Sequence, residues 1–307
     1  MNPKAKVLIC DPIHEEGIGK LRDTGFEVDV NTTISHEQLK DVVSNYDALV
    51  VRSRTKVTKE IIEAGKRLKT IGRAGVGLDN IDLETAKKKG ITVLNTPEAP
   101  AEAVAELTVG LIISLARHIS LADQAMKKEE WLKKKLRGWE LRGKTLGVIG
   151  LGNIGEKVAR VAKAFGMKIL ITKRTPPKPE LLRELEGEFI SLSELLQRSD
   201  VVTIHVPLTP QTRHMIGVKE LQLMKDGAFL INTSRGAIVD EKALLEALQS
   251  GKLGGVALDV YETEPTINIA LTRLPNVVCT CHIGAQTKEA QRAAATLIAE
   301  KIINFFK

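Results

Sequence analysis

The sequence predicts an α/β protein made of two doubly wound parallel sheets, one domain inserted into the other. Three observations carry this. Short β-rich runs alternate with longer helical patterns from end to end; the alternation falls into two series separated by a long helical stretch; and the last helical pattern has no strand after it. With 307 residues, 43% of them hydrophobic and 27% charged, the chain has length for about two domains, each with its own core.

The first series places strands at residues 6–10, 26–30, 48–52, 70–73 and 92–95, with amphipathic helical stretches such as 14–24 and 36–44 between them. A helical pattern then starts at prolines 97 and 100, runs through 107–118, and continues as a charged helix to Leu136. The second series places strands at 145–149, 168–172, 201–206, 228–233, 254–259 and 277–280. Residues 286–306 read as a final long helix, too late to serve the second sheet, so the economical arrangement folds it back onto the first unit. The expected division is residues 1–98 with 287–307 as one domain and 99–286 as a second domain inserted into it, joined by two crossings that form a hinge.

Composition narrows the function. Three cysteines in a chain of this length point to a reducing compartment, and the start, charged and then apolar at Val7 to Cys10 before Asp11 and Pro12, reads as strand and turn rather than a signal peptide; the expected location is cytoplasmic. The longest apolar stretch, 107–116, is too short to span a bilayer. A net charge of +7 favours anionic partners, but aromatics make up 3% of residues and the basic residues interleave with acids, so nucleic acid is not expected.

Gly150, Gly152 and Gly155, with Asn153 and Ile154 among them, follow the strand at 145–149 directly and open the helical pattern at 156–165. That is the context a Rossmann dinucleotide fingerprint requires: the first glycine turns, the second admits the pyrophosphate to backbone N–H groups, the third lets helix pack on strand. At the end of the next strand, where an acid would hold the ribose 2′-hydroxyl of NAD, stand Lys173 and Arg174. Two readings follow: they receive the 2′-phosphate of NADP, or they point into solvent and NAD binds through its other contacts.

Three polar signals end strands of the second series: Asn232 through Arg235 and Gly236; Asp259 through Glu264 and Pro265; and His282 through Ala285. Hydride transfer involving a 2-hydroxy acid needs a cation for the carboxylate and carbonyl, a base for the hydroxyl proton, and an acid to sustain that base. Arg235, His282 and Glu264 are the residue types for those roles.

The glycine motif, the stretch from Asp200 through His205 to Pro207, residues 232–240, 257–265 and 282–285 together resemble the successive signatures of the D-2-hydroxyacid dehydrogenase family, over nearly the whole chain. The resemblance implies a Rossmann domain inserted into a flavodoxin-like substrate domain. It implies that His282 is the general acid/base, Glu264 its partner and Arg235 the substrate anchor. It also implies that Asp259 accepts from the nicotinamide carboxamide, and that Val76, Val206, Thr233, Ser234, Gly284 and Ala285 line the cofactor, NAD or NADP. Glu264 separates the chain from formate dehydrogenases of this fold, which carry Gln there.

Within the family, residues 50–58 and 72–80 are most similar to D-3-phosphoglycerate dehydrogenases, and the similarity marks Arg52, Ser53, Arg54, Arg73, Ala74, Gly75 and Val76 as substrate-binding. Arg52, Arg54 and Lys56 alternate, so in extended chain they share one side, a basic row suited to a phosphate; the alternative is an exposed strand end. Several departures stand beside the resemblance. Cys281 occupies a position usually held by Pro, the loop at 98–101 lacks the Asn or Ser often found there, and Lys173 and Arg174 resemble the NADPH-using glyoxylate and hydroxypyruvate reductases. The chain ends at Lys307, so no serine-binding regulatory domain is expected. Two other classes of function bear on the same residues. Cys279, Cys281 and His282 have close spacing for a metal but lack a fourth ligand, so no metal is expected. A nucleotide-sensing, peptide-binding corepressor would keep the same triad, and turnover would separate it from an enzyme. The long helical segment at 107–136 implies, by resemblance, a homodimer.

Overall fold

Two separate parallel sheets organise the chain. The computed structural model describes residues 5–266 and 268–307; the charged start at residues 1–4 lies outside the described residues. Close packing divides the chain into a first unit of Met1–Ala101 with Ala285–Lys307 and a second of Glu102–Gly284.

In the first unit, β1 (Lys6–Ile9), α1 (Glu15–Asp23), β2 (Glu27–Val30), α2 (His36–Val42), β3 (Ala48–Val51), α3 (Lys59–Ala64), β4 (Thr70–Arg73), α4 (Leu83–Lys88) and β5 (Thr92–Asn95) alternate along the chain. The sheet order is β2-β1-β3-β4-β5, all parallel, the order of flavodoxin-like folds. Alternate residues of β1 serve opposite faces: Val7 and Ile9 join one core with Val50, while Leu8 and Cys10 join another with Leu49 and Val51. Both faces of β3 are buried, which is why its sequence is a continuous apolar run. The last helix packs Ala294, Ile298, Ala299, Ile302 and Ile303 into the core that holds Val7 and Ile9.

The second unit begins with α5 (Ala101–Arg117) and α6 (Ile119–Met126). Then come β6 (Thr145–Ile149), α7 (Asn153–Ala164), β7 (Lys168–Thr172), α8 (Pro179–Leu185), β8 (Gly187–Phe189), α9 (Leu192–Arg198) and β9 (Val201–Ile204). It closes with α10 (Val218–Leu223), β10 (Ala228–Asn232), α11 (Glu241–Gln249), β11 (Leu253–Leu258), α12 (Ile269–Thr272) and β12 (Val277–Cys279); α13 (Lys288–Phe305) is the last helix and belongs to the first unit. The sheet order β8-β7-β6-β9-β10-β11-β12, all parallel, is that of a Rossmann fold extended by one strand.

Two expectations need correction. The charged helix predicted to reach Leu136 stops at Met126, and residues 127–144 form turns in which Glu129 takes a positive φ of 62°. The stretch from Lys127 to Lys135 presents no apolar stripe to bury, and helices in proteins draw most of their stability from such a stripe. The strand β8 was not predicted: three residues at a sheet edge, with Glu188 and Phe189 both exposed, leave no apolar run to read.

Among the described residues no single helix is long and apolar enough to cross a membrane.

Candidate active site

The register of the second sheet places the polar loops at one level. Asn232 pairs with Leu258 and Leu258 with Cys279, so the loops carrying Arg235, Glu264 and His282 leave neighbouring strands side by side at their carboxyl ends. Ile204 aligns with both Asn232 and Ile149, which brings the glycine loop after β6 to the same edge. Ligands of open α/β sheets bind at that edge.

At the centre, His282 Nδ1 lies 2.7 Å from Glu264 Oε2. With Glu264 ionised, Nδ1 carries the proton and Nε2 is left as the nitrogen that can accept or return one. The Tyr261 N–H donates to the other carboxylate oxygen, Oε1, at 3.1 Å. Burial pushes the Glu264 carboxyl up, but the hydrogen bond and charge of His282, the Tyr261 N–H and the nearby charge of Arg235 outweigh it and hold Glu264 below the usual range.

His282 has a left-handed backbone, φ 56°, unusual for a residue with a side chain and costing on the order of 1–3 kcal/mol. Asp259, 1% exposed, imposes it. Its carbonyl accepts from His282 N–H at 2.8 Å, its Oδ1 from Ile283 N–H at 2.8 Å and the Thr280 hydroxyl at 2.6 Å, and its Oδ2 from Gly284 N–H at 2.9 Å. The resemblance assigned Asp259 to the nicotinamide; the structure adds that its carboxylate shapes the loop holding the histidine. Tyr261 ties the loops together, its hydroxyl donating to Thr280 O at 2.9 Å.

Arg235 follows a turn built by Asn232, whose Nδ2 donates to Arg235 O and whose Oδ1 accepts from Ser234 N–H and the Ser234 hydroxyl. Arg235 Nη1 donates to Ser234 O at 2.7 Å. Buried Thr233 shares a 2.9 Å hydrogen bond with Thr108. The sequence reading gave Asn232 and Tyr261 no role; both hold backbone, and such roles are visible only when partners distant in sequence are known.

The glycine loop fits a dinucleotide. Gly150 has a φ of 97°, and a Cβ there would stand 2.7 Å from His205 O; a Cβ on Gly155 would stand 2.1 Å from Gly150 O. A Cβ on Gly152 would meet nothing within 4 Å, so that side of the loop is open. Gly152 caps α7 without a side-chain hydrogen bond, leaving Asn153 and Ile154 to open a 12-residue helix whose first N–H groups suit an anion. Val206 is half-buried beside Gly150. The two basic residues after β7 diverge: Lys173 Nζ donates to Leu151 O at 3.2 Å, while Arg174 is exposed.

In the first unit the expected basic row is not a row. Strand β3 ends at Val51 and the chain bends at Ser53 and Arg54. The cause is Asp11, 1% exposed at the end of β1, whose carboxylate accepts from Arg52 N–H at 2.5 Å, Thr55 N–H at 3.2 Å, the Thr55 hydroxyl at 2.7 Å and Arg54 Nε at 3.0 Å. Arg54 also donates to Ile34 O, Cys10 O and the Thr55 hydroxyl, so its guanidinium is largely consumed inside the unit. Asn80 Nδ2 grips the loop from the other side through Arg52 O and Thr55 O at 2.7 and 2.6 Å. Arg52, whose Nη1 reaches Pro12 O at 3.3 Å, is half-buried, and Ser53 and Lys56 are exposed. After β4, Arg73 folds over Gly75, Ala74 is buried, and Val76 O accepts from Asn95 Nδ2 at 2.7 Å. Ala285 is half-buried at the start of the chain's return to the first unit.

Residues 109–284 match the family model described as "D-isomer specific 2-hydroxyacid dehydrogenase, NAD binding domain". The chain is 50% identical over 298 residues to a D-3-phosphoglycerate dehydrogenase of Methanocaldococcus jannaschii, the match covering 97% of this chain and 56% of that one. It thus spans little more than half of that relative's length. To a hydroxypyruvate reductase of Thermotoga maritima it is 49% identical over 301 residues, 97% of each chain. Among solved structures, a glyoxylate reductase from Paecilomyes thermophila superposes with a TM-score of 0.93 at 34% identity, covering 100% of this chain and 96% of the other.

Proposed function

The chain belongs to the D-isomer specific 2-hydroxyacid dehydrogenase family, and from that premise we propose that it oxidises D-3-phosphoglycerate to its keto acid, and reduces the keto acid in return, with NAD or NADP. The observation that carries the chemistry is the 2.7 Å contact of His282 with Glu264, on a loop beside that of Arg235. A bound nicotinamide supplies the hydride acceptor and donor. Everything else falls to the chain. His282 Nε2 takes the hydroxyl proton in oxidation and returns it in reduction. Glu264 stabilises the charged imidazole, and Arg235 holds the substrate carboxylate and polarises the carbonyl. Gly150, Gly152 and Gly155, with the first N–H groups of α7, hold the pyrophosphate.

For the substrate, the reading rests on the named relative at 50% identity and on Arg52 and Lys56, the cations of the loop fixed by Asp11 and Asn80. A second reading, hydroxypyruvate or glyoxylate reductase using NADPH, draws on the match to a hydroxypyruvate reductase over 97% of both chains and on exposed Arg174. Initial rates with 3-phosphohydroxypyruvate, hydroxypyruvate and glyoxylate, each with NADH and NADPH, decide between them. Fast turnover of the phosphorylated acid supports the first reading; preference for an unphosphorylated acid with NADPH replaces it with the second; cofactor binding without turnover of any overturns both.

The same reading includes a homodimer formed through α6 and the turn after it, where Ile119, Met126 and Trp131 are 50%, 55% and 76% exposed. Sedimentation showing a monomer at assay concentration overturns it. The three cysteines are unpaired, which supports a cytoplasmic setting.

A further inference from the structure

We propose that Glu262 and Glu241, seated on Gly236, form a positioning clamp that sets where Glu264 stands and so the pH range over which the proton-transfer pair works. The inference rests on the reading of His282 and Glu264 as that pair.

Glu264 lies in a stretch without regular structure after β11, so its placement has to come from contacts. Three converge on Glu262 and the peptide that joins it to Tyr261, two residues earlier. The Glu262 N–H donates to Glu241 Oε1 at 2.8 Å, and the Glu241 N–H donates to Glu262 Oε1 at 2.9 Å: two carboxylates, 21 residues apart, each accept the other's main-chain hydrogen. Beneath them, a Cβ on Gly236 would stand 1.8 Å from Tyr261 C, 2.1 Å from Tyr261 O and 2.4 Å from Glu262 N, so this peptide rests directly on the glycine that follows Arg235. One peptide earlier, the Tyr261 N–H donates to Glu264 Oε1 at 3.1 Å. Arg235 and Glu264 therefore flank one backbone contact.

Two glutamates side by side are a poor way to stabilise a fold, because like charges repel. They are an effective way to fix a loop, because each supplies an acceptor to a defined N–H. Polar neighbours hold both side chains: His214 Nε2 lies 3.2 Å from Glu262 Oε1 and Asn268 Nδ2 donates to Glu241 Oε2 at 3.0 Å, while the adjacent Asp240 carboxylate is taken up capping α11 through Lys242 N–H and Ala243 N–H. These groups, with Lys242, border an open pocket of about 390 Å³. Among the described residues, the titratable and charged groups around Glu262 are Asp240, Glu241, Lys242 and His214, and those around His282 within its unit are Glu264, Arg235, Asp259, Tyr261, Cys279 and Cys281.

The test uses the full chain and the pH dependence of kcat/KM for keto-acid reduction, with cofactor binding measured separately. Reduction needs a protonated His282, and a loosened Glu264 retains that proton less well. Glu262→Ala is expected to lower kcat/KM about tenfold or more and to move the alkaline fall in rate to lower pH, with cofactor binding unchanged. Glu262→Gln keeps an oxygen for the Glu241 N–H and is expected to restore the profile. Glu241→Ala repeats the test if Glu262→Ala does not fold. A loss of rate or stability with an unmoved profile in these variants overturns the clamp. Glu264→Gln is the control: if it too leaves the profile unmoved, the proton-pair reading fails; if it moves the profile and the clamp variants do not, only the clamp fails.

Discussion

Replacing Asp11 by Ala is expected to destabilise the first unit by about 3–5 kcal/mol, the summed cost of the buried donors it leaves without an acceptor. The carboxylate is 1% exposed and accepts four donors. Removing it strands the N–H and hydroxyl of Thr55, itself 7% exposed, at about 1–3 kcal/mol for each unsatisfied group. Arg54, with a side chain 48% exposed, turns to water and adds little. At about 2–4 °C per kcal/mol for a protein of this size, Tm falls by roughly 6–20 °C, and urea unfolding reads the same loss directly. Because the loop of Arg52 and Lys56 is released, KM for 3-phosphohydroxypyruvate is expected to rise at least about tenfold, with that for hydroxypyruvate nearly unchanged. A stability loss below about 1 kcal/mol would refute the reasoning, since it would mean that the carboxylate does not organise this loop.

Replacing His282 by Ala is expected to cut turnover by about 10²-fold or more while cofactor binding, read by fluorescence titration, persists; unchanged turnover removes it from the proton-transfer role. His205 is a pH prediction. It is partly exposed as a residue, but its ring Nδ1 is buried, Nε2 bonds Thr203 at 2.9 Å, and burial pulls its pKa down to about 3. The unfolded chain binds this proton from about pH 6.5 downward and the folded chain does not, so stability falls with pH across that window, by about 2 kcal/mol between pH 7 and 5. Denaturant unfolding of His205→Gln should show a correspondingly flatter pH slope, and an identical slope sinks the assignment. Replacing Arg174 by Ala should raise KM for NADPH about tenfold and leave that for NADH; equal effects return Arg174 to plain solvent exposure.

Much of the fold was legible because its signals are local. Short continuous apolar runs such as 145–149 and 168–172 coincide with β6 and β7, since a central parallel strand must be apolar on both faces. The glycine loop was legible because a tight turn, an open anion site and a close helix contact each demand glycine at fixed spacing. Where the signal was weak, the reading failed: the Lys127–Lys135 region carries helix-forming residues but no face to bury, and β8 is too short and polar to register.

The residue types of the site belong to the same local category, whereas their roles do not. Arg52, Arg54 and Lys56 alternate in sequence, and alternation means one shared side only while the chain stays extended. A buried Asp11, some 40 residues earlier, bends it and takes Arg54 for itself. Asp259 likewise shapes the His282 loop through N–H groups more than 20 residues away. By itself, then, the sequence determined the alternating architecture, the glycine cradle and the chemical identities of Arg235, Glu264 and His282. Only the tertiary structure decided which loops end level with one another, which charges are left for a ligand and which are spent holding backbone, because a hydrogen bond between distant segments exists only once strand register has brought them together.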